Sequence, residues 1–321
     1  MQEKEKKLCL VVIPFTDQQK EKIKRSSECY EFVFTDKKRV TKEQLQAAEI
    51  IMGNVSPELL TEAEHLRWLQ LNSAGVNQYI PEGVLAEGVL LSSAVGAYDI
   101  SVTEGMLAAT MDLYRKMPAY MDSQKKHLWK DEGPILSPYG ATVLIVGLGQ
   151  IGCRYARIMK ALGSYIIGIK RSLSEKPDYV DELYTMDHLH DCLSRADLVM
   201  SVLPATEATR HRYGEEEFSR MKDSAYFLNF GRGDAVVTDD LYQALCQGQI
   251  AGAALDVTDP EPLPADHILW DAPHLILTPH VAGAFHIPQT LEIIAEICCE
   301  NMQHFERGEA LRNQVTKSKG Y

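Results

Sequence analysis

Three glycines in the segment GLGQIG, residues 147–152, stand directly between an apolar run and a helical pattern. The run before them, TVLIV, is typical of a buried strand, and the pattern after them, QIGCRYARIMKALG, has the periodicity of a helix. Gly147 allows a tight turn, Gly149 lets a ligand approach the backbone, and Gly152 permits close packing of helix on strand. Because the helix would present free N–H groups and partial positive charge to phosphates, the segment predicts a dinucleotide-binding loop.

Apolar runs alternate with helical patterns along nearly the whole chain. The first set is LCLVVI, YEFVFT, EIIMG, LRWLQL and GVLLSS, and the second is TVLIVG, YIIGI, DLVMSVL, AYFLNF, IAGAALDV and HLILTPH. Near-continuous apolar runs are typical of parallel strands that are buried on both faces. Thr41 with Gln44 forms a candidate capping box, and Ser56 before Pro57 marks another helix start. We therefore expect an α/β protein with two doubly wound parallel-sheet (Rossmann/flavodoxin-like) domains and a cleft between them.

The two sets of strands are joined by a long helical pattern from Asp99 to Met117. A further helical pattern, PQTLEIIAEICCENMQHFERG, follows the second set and ends at Gly308. A C-terminal helix of this kind often packs back on the N-terminal part of a chain. We predict a discontinuous substrate-binding domain, residues 1–98 and 288–321, that encloses a dinucleotide-binding domain at residues 99–287.

The composition of the chain excludes several classes of binding partner. The chain has 321 residues, which suits two domains, with 45% hydrophobic and 24% charged residues. A net charge of −12 without a basic stripe argues against nucleic acid. The apolar run Leu8–Ile13 is too short for a signal peptide, and no segment approaches transmembrane length, so no membrane partner is expected. Seven cysteines, mostly within apolar patterns, favour a reduced cytoplasmic location over a disulfide framework.

The strand after the glycine loop, SYIIGI, ends in Lys170, Arg171 and Ser172 instead of an acid. An NAD site uses an acid at this position to accept hydrogen bonds from the ribose 2′-hydroxyl, and that acid would repel a 2′-phosphate. Two cations and a hydroxyl suit a dianionic phosphate, because arginine can bind it bidentately and stack on adenine. The ending predicts a preference for NADP(H). NAD(H) stays the alternative if these residues are an ordinary basic strand end.

Three later strands are each followed by a polar residue of catalytic type. Arg232 follows AYFLNF, Glu261 follows IAGAALDV, and His280 follows HLILT. Ligands bind at the carboxyl ends of the strands in open α/β sheets. A cation, a carboxylate and an imidazole at this edge predict a site for an anionic substrate that gains or loses a proton.

Taken together, these motifs resemble the D-isomer-specific 2-hydroxyacid dehydrogenases, a family of NAD(P)-dependent oxidoreductases. The matching pieces occur in family order and cover nearly the whole chain: NSAGV (72–76), VTEG (102–105), GLGQIG, LPATEATRH (203–211), NFGRG, DVTDPEP and TPHVAG. The segments YMDSQKKHLW and EPLPADHILW are similar to the glyoxylate/hydroxypyruvate reductase subgroup. The resemblance implies reduction of a small 2-keto acid to the D-2-hydroxy acid.

The family's catalytic residues fall on Arg232, Glu261 and His280, and the chemistry agrees. A 2-keto acid carries a carboxylate and a carbonyl, so Arg232 would orient the substrate and polarise its C=O bond. His280 would protonate the developing alkoxide, and Glu261 would fix the imidazole tautomer and favour the imidazolium. The nicotinamide supplies the hydride, which no side chain can supply.

The resemblance also implies binding positions, without any metal. The expected cofactor contacts are Thr103, Gly147, Gly149, Gln150, Ile151, Gly152, Lys170, Arg171, Ser172, Leu203, Pro204, Phe230, Gly231, Asp256 and Gly283. Of these, Thr103 would lie near the nicotinamide, and Asp256 would contact its amide or its ribose. Backbone N–H groups of Ser73, Ala74, Gly75 and Val76 would bind the substrate carboxylate together with Arg232. A plain glycine turn is the alternative for that loop.

Three alternatives stay open on the residues alone. The enzyme could belong to the D-lactate or the phosphoglycerate type of the same family. A dinucleotide-sensing binding protein, like the corepressors that share the fold, would keep the same three catalytic residues. The family implies a homodimer formed through the nucleotide domain, for which the apolar helix Val102–Met117 is the candidate surface.

Overall fold

The computed structural model describes residues 6–172 and 175–316, and these fall into two compact units. The first unit consists of the described residues up to Tyr98 together with those from Phe285 onward, and the second unit is Asp99–Ala284. The rings of Tyr98 and Phe285 lie against each other with centroids 6.3 Å apart, which groups Phe285 with the first unit.

The second boundary therefore lies three residues before the predicted one at 287/288. The outer ends of the predicted substrate-binding domain, residues 1–5 and 317–321, lie outside the described residues. Among the described residues, no helix is both long and apolar enough to cross a membrane. All seven cysteines lie in the described part of the chain and carry free thiols.

The first unit is built on a five-stranded parallel sheet. Its strands are β1 (Lys7–Val11), β2 (Tyr30–Phe34), β3 (Ala48–Met52), β4 (Trp68–Gln70) and β5 (Leu90–Ser92), in the order β2-β1-β3-β4-β5. Its helices are α1 (Asp17–Lys24), α2 (Lys42–Ala47) and, after the second unit in the chain, α9 (Pro288–Arg307). All neighbouring strands run parallel, and the order is that of flavodoxin-like folds.

Local signals set the helix ends of this unit. The capping box predicted at Thr41 is confirmed: its hydroxyl accepts from the Gln44 amide at 3.3 Å, and the Gln44 side chain accepts from the Thr41 amide at 3.0 Å. The start predicted at Ser56 leads into a 3-10 segment, Pro57–Glu62, instead of an α-helix. Helix α9 ends at Gly308, whose φ of 69° is the left-handed conformation that favours glycine.

Helix α9 completes the hydrophobic core of the first unit. It buries Ile294, Ile297, Cys298 and Met302 fully, in a cluster that also contains strand residues of β1, β3 and β4. The Phe305 ring stacks on Trp68 with centroids 5.4 Å apart. The core of this unit is thus formed by chain segments from both ends of the protein.

The second unit is built on a seven-stranded parallel sheet. Its strands are β6 (Thr142–Val146), β7 (Tyr165–Ile169), β8 (Glu182–Tyr184), β9 (Leu198–Ser201), β10 (Tyr226–Asn229), β11 (Gly252–Leu255) and β12 (Leu275–Leu277), in the order β12-β11-β10-β9-β6-β7-β8. Its helices are α3 (Asp99–Tyr114), α4 (Met117–Lys125), α5 (Gln150–Ala161), α6 (Leu189–Leu193), α7 (Glu215–Arg220) and α8 (Thr238–Cys246). This is the Rossmann order with one further strand, and it reverses at β6 and β9.

The two predicted parallel α/β sheets are confirmed, and two details of the second unit differ from expectation. Strand β8 was not predicted, because its half-buried residues ELY form no apolar run. The helix predicted from Asp99 to Met117 ends at Tyr114, and Lys116 adopts φ 55° before α4 begins. Pro118 is the cause: it has no N–H, and its ring would clash with the Tyr114 carbonyl, four residues earlier, if the helix continued.

Candidate active site

The glycine loop follows β6 at the point where the strand order reverses. The Gly147 amide donates to the Ile169 carbonyl at 2.9 Å, which ties the loop to the end of β7. A Cβ on Gly152 would stand 2.3 Å from the Gly147 carbonyl oxygen, so the close packing there excludes any side chain. A Cβ on Gly149 would meet nothing within 4 Å. The backbone at Gly149 is therefore open, as a cradle for a phosphate must be.

The predicted contacts Gln150 and Ile151 open helix α5, directly behind Gly149. The Cys153 amide is the first to donate back, to the Gly149 carbonyl at 2.8 Å. The amides of the first helical residues before Cys153 have no partner within the helix, since a helix leaves its first N–H groups unpaired. These groups and the helix dipole fit the pyrophosphate of a dinucleotide.

The basic strand end lies beside this loop. Val146 of β6 pairs with Ile169 of β7, so Gly147 and Lys170 follow neighbouring strand ends. Lys170 is half-buried, and its backbone amide donates to the Tyr184 carbonyl at 3.1 Å. The next two residues, Arg171 and Ser172, are exposed.

Four other predicted cofactor residues follow the next two strands of the sheet. Leu203 and Pro204 come after β9, the first buried and the second exposed, and Phe230 and Gly231 come after β10. A Cβ on Gly231 would stand 2.6 Å from the Leu203 backbone nitrogen. The structure thus brings these two loops into contact at the carboxyl edge of the sheet.

Two predicted cofactor residues lie in different surroundings. Thr103 is fully buried in α3, where its hydroxyl donates to the Asp99 carbonyl at 2.6 Å and accepts from the Arg154 Nε at 3.2 Å. That hydroxyl is therefore already engaged inside the unit. Gly283 lies in a turn closed by the Ala284 amide on the Val281 carbonyl at 3.2 Å.

Glu261 and His280 form a hydrogen-bonded pair. Glu261 Oε1 lies 2.6 Å from His280 Nδ1, with both side chains a little under half exposed, at 41% and 45%. The pair borders a cavity of about 360 Å³ whose other walls include Leu263, Trp270 and Leu277. Because Nδ1 is held by the carboxylate, Nε2 is the nitrogen that remains for proton transfer.

Arg232 follows β10, the strand next to β11. Its Nη1 donates to the Gly231 carbonyl at 2.8 Å, and the side chain is half-buried. A Cβ on Gly233 would stand only 2.0 Å from the Thr258 carbonyl oxygen, so this turn packs directly on the loop that leads to Glu261. The cation and the acid–imidazole pair are therefore carried by neighbouring loops of one unit.

Asn229, the last residue of β10, holds the turn of Arg232 and was not predicted as a site residue. Its Nδ2 donates to the Arg232 carbonyl at 2.8 Å, and its Oδ1 accepts from the Gly231 amide at 3.1 Å. The side chain is fully buried. A polar residue that ends an otherwise apolar run was the signal that could have revealed it.

Asp256 ends the next strand in the same way, directly after β11. The residue is only 4% exposed, and its carboxylate accepts from Thr278, Val281 and Ala282, which flank His280. The cofactor contact predicted for Asp256 stays a prediction. What the structure describes is a hydrogen-bonded support for the histidine turn.

The predicted substrate loop, Ser73 to Val76, follows β4 in the first unit. Ser73 Oγ accepts from Asn54 Nδ2 at 2.9 Å and donates to the Gly75 carbonyl at 2.7 Å. Within the described part of the chain, the amides of residues 73–76 donate no hydrogen bond. Val76 differs from the others in that its side chain is buried in the core. Four unengaged amides in one loop suit a carboxylate ligand.

Tyr98 and the Asn54–Asn72 pair brace this loop. The Asn54 amide donates to Asn72 Oδ1 at 2.7 Å, and the Asn72 amide donates to Asn54 Oδ1 at 3.0 Å. The Tyr98 hydroxyl donates to the Asn72 carbonyl. Burial raises the pKa of Tyr98 to about 12, so its hydroxyl keeps its proton at neutral pH.

The chain is similar to proteins of one known family. Residues 107–282, more than half of the chain, match the family described as D-isomer specific 2-hydroxyacid dehydrogenase, NAD binding domain. The chain is 32% identical over 276 residues to a glyoxylate reductase of Korarchaeum cryptofilum, covering 84% of this chain and 81% of that protein.

Two solved structures extend the likeness to the whole chain. A D-isomer specific 2-hydroxyacid dehydrogenase family protein of Aeromonas salmonicida has a TM-score of 0.88 and 30% identity, covering 98% of this chain and 100% of that chain. The NADPH-dependent glyoxylate/hydroxypyruvate reductase of Sinorhizobium meliloti, solved with NADP and sulfate, has a TM-score of 0.83 and 26% identity with the same coverage. The chain belongs to the D-isomer-specific 2-hydroxyacid dehydrogenase family of NAD(P)-dependent oxidoreductases.

Proposed function

We propose that this protein reduces a small 2-keto acid, glyoxylate or hydroxypyruvate, to the D-2-hydroxy acid with NADPH. The observation that carries the proposal is the 2.6 Å contact between Glu261 Oε1 and His280 Nδ1 at the carboxyl edge of the nucleotide-binding sheet. Such a pair supplies a proton to a developing alkoxide, as reduction of a keto acid requires. The substrate class is supported by the names of the glyoxylate reductase and the glyoxylate/hydroxypyruvate reductase to which the chain is similar.

Three side chains would each have a separate role in the reaction. Arg232 holds the substrate carboxylate and carbonyl oxygens, which orients the substrate and polarises its C=O bond. His280 donates a proton from Nε2 to the carbonyl oxygen and takes it back in the reverse direction. Glu261 accepts a hydrogen bond from Nδ1 and so holds the imidazole ring in one orientation during the transfer. The bound nicotinamide supplies the hydride.

The first test is NADPH oxidation with a panel of 2-keto acids, run on the wild type and on His280→Ala. We expect turnover with glyoxylate or hydroxypyruvate, and a loss of kcat of at least about 100-fold in the variant, in the range of general acid–base catalysis. NADPH binding, measured by fluorescence titration, should be retained. Turnover of pyruvate or phosphohydroxypyruvate alone, the keto acids of D-lactate and phosphoglycerate, would place the protein with those relatives. Tight NADPH binding without turnover of any acid would favour a dinucleotide-sensing role.

The cofactor preference rests on Lys170, Arg171 and Ser172, which follow the strand beside the glycine loop at the position where an NAD site has an acid. The similar Sinorhizobium reductase was solved with NADP. In the double variant Lys170→Ala/Arg171→Ala we expect KM for NADPH to rise at least about tenfold, the loss of one or two charge-assisted hydrogen bonds. KM for NADH should change less than about threefold. Equal effects on the two cofactors would contradict the phosphate assignment.

A homodimer and a cytoplasmic location complete the proposal. The apolar side chains of the predicted surface on α3, such as Met106 and Leu113, are buried within their own unit. A group of exposed apolar residues lies on α4 and in the segment directly after it: Met121 and Leu128 are about half exposed, at 55% and 53%, and Trp129 is fully exposed. Light scattering should therefore give twice the monomer mass, and Trp129→Ser should weaken that association. A monomeric wild type would refute the dimer.

A further inference from the structure

We propose that Asp256 is a positioning residue for His280, and that its buried carboxylate holds the turn from which the imidazole projects. The inference rests on the proposed proton transfer by His280. It assigns to Asp256 a task in the chemical step instead of contact with the nicotinamide.

The hydrogen bonds surround the histidine on both sides. Thr278 Oγ1 donates to Asp256 Oδ1 at 2.6 Å, from two residues before His280. The Val281 amide donates to Oδ1 at 3.0 Å and the Ala282 amide to Oδ2 at 3.1 Å, from the two residues after it. The His280 amide itself donates to the Asp256 backbone carbonyl at 2.8 Å. Asp256 thus accepts hydrogen bonds from four residues of this turn: Thr278, His280, Val281 and Ala282.

The turn needs such a support because of the backbone of His280. Its φ is 53°, in the left-handed region that non-glycine residues seldom adopt. A conformation of this kind persists only where the surrounding structure holds it, and it clusters at functional sites. Since the side-chain direction follows from the backbone, a turn released from Asp256 would also release Nδ1 from Glu261, 2.6 Å away.

A carboxylate is the group that can do this. Asp256 Oδ1 accepts from the Thr278 hydroxyl and from two amides, and Oδ2 accepts from one, so every neighbour is a donor. An asparagine of the same shape would turn an NH₂ group toward at least one of these donors and lose that bond. Only 4% of Asp256 is exposed, so a donor left without its acceptor here lowers the stability of the turn.

The same carboxylate was predicted to contact the cofactor, and the two roles give different kinetics. Loss of a cofactor contact raises the Kd and the KM of NADPH. Misplacement of the proton donor lowers kcat and leaves nucleotide binding unchanged. Thr278→Val separates the roles further, because it removes one donor to Asp256 and leaves the carboxylate itself in place.

The experiment compares five variants of the full chain. Asp256→Asn and Thr278→Val test the support, Thr278→Ser restores the hydroxyl, and Asp266→Asn is the control, an exposed aspartate in the loop before β12. His280→Ala is the reference for complete loss of the proton donor. The measurements are kcat and KM with a keto acid, the Kd of NADPH by fluorescence titration, thermal unfolding, and amide hydrogen exchange of residues 278–283.

We expect Asp256→Asn and Thr278→Val each to lower kcat by about 10- to 100-fold, the size of one lost hydrogen bond to a charged group. The Kd of NADPH should stay within about threefold of the wild type, since positioning leaves uniform binding intact. Exchange at Val281 and Ala282 should become faster in both variants. Thr278→Ser should recover most of the loss, and Asp266→Asn should match the wild type.

Two results would overturn the inference. One is a kcat within about twofold of the wild type in both Asp256→Asn and Thr278→Val. The other is a loss confined to the KM and Kd of NADPH. If Asp256→Asn fails to fold, Thr278→Val decides alone. If His280→Ala keeps its kcat, the proposed function itself fails; if it loses activity while the other two keep theirs, only the role of Asp256 fails.

Discussion

At the scale of the residue, two buried strands of this protein are each terminated by a polar residue, which is either the last residue of the strand or the one directly after it. Asn229 ends β10 and holds the turn of Arg232, while Asp256 follows β11 and holds the turn of His280. Each makes hydrogen bonds with backbone groups that would otherwise be buried without partners. The side chains proposed to take part in catalysis, Arg232 and His280, are thus held in place by Asn229 and Asp256 at the ends of the strands.

Burial also sets the reactivity of the thiols. It raises the pKa of Cys192 to about 11, so at pH 8 only about one thiol in a thousand is ionised. Cys29 and Cys246 are exposed. We expect iodoacetamide at pH 8 to modify these two first and Cys192 far more slowly, as mass spectrometry of peptides would record. In guanidinium chloride all seven should react at similar rates. Native labelling of Cys192 as fast as Cys29 would contradict this.

At the scale of the element, two glycines in functional loops have opposite reasons to be glycine. Gly149 faces open space at the start of α5, with φ −87°, a value that alanine also adopts. Gly233 instead lies against backbone, where a Cβ would stand 2.0 Å from the Thr258 carbonyl oxygen. We propose that the ligand constrains the first position, whereas packing constrains the second.

This difference predicts two distinct outcomes for the same substitution. Gly149→Ala should leave the melting temperature within about 2 °C of the wild type and weaken NADPH binding at least about tenfold, because the methyl group enters the space for the phosphates. Gly233→Ala should cost about 1–3 kcal/mol of stability, because the turn must move to admit a methyl group. Calorimetry and a fluorescence titration measure both. The assignment of Gly149 fails if its variant melts early or binds NADPH normally.

At the scale of the whole molecule, the two units depend on the chain differently. The second unit, Asp99–Ala284, is continuous in sequence. The first unit needs α9 from the other end of the chain to bury Ile294, Ile297 and Met302 in its core. Full burial of three such side chains is worth about 1.5–3 kcal/mol each, and their sum is comparable with the total stability of a small domain, about 5–15 kcal/mol.

We therefore expect residues 99–284, expressed alone, to fold cooperatively and bind NADPH. Residues 1–98 alone should show no cooperative thermal transition in circular dichroism, since their core lacks α9. Joining residues 1–98 to 285–321 by a short glycine–serine linker should restore the transition, because Tyr98 and Phe285 already lie in ring contact. A stably folded 1–98 fragment would show that α9 is dispensable.

The sequence by itself determined those features that depend on neighbours along the chain. Apolar runs identified eleven of the twelve strands in the described residues, the GLGQIG spacing located the glycine loop behind β6, and Gly308 marked the end of α9. Strand β8 was not predicted because its residues are half-buried. The break of the helix at Lys116 was not predicted either, although Pro118 indicates it. Both kinds of feature are local, because strand burial and helix termination act within a few residues.

The tertiary structure decides which side chains meet, and the Glu261–His280 pair was expected only from the resemblance to the family. Glu261 and His280 are 19 residues apart, and only the adjacency of β11 and β12 brings their loops together. The direction of the Asp256 carboxylate toward the His280 turn follows from the same adjacency. The packing of Gly233 on Thr258 follows instead from the adjacency of β10 and β11. The physical reason is that a hydrogen bond depends on distance and angle in space, which strand order sets and sequence spacing does not.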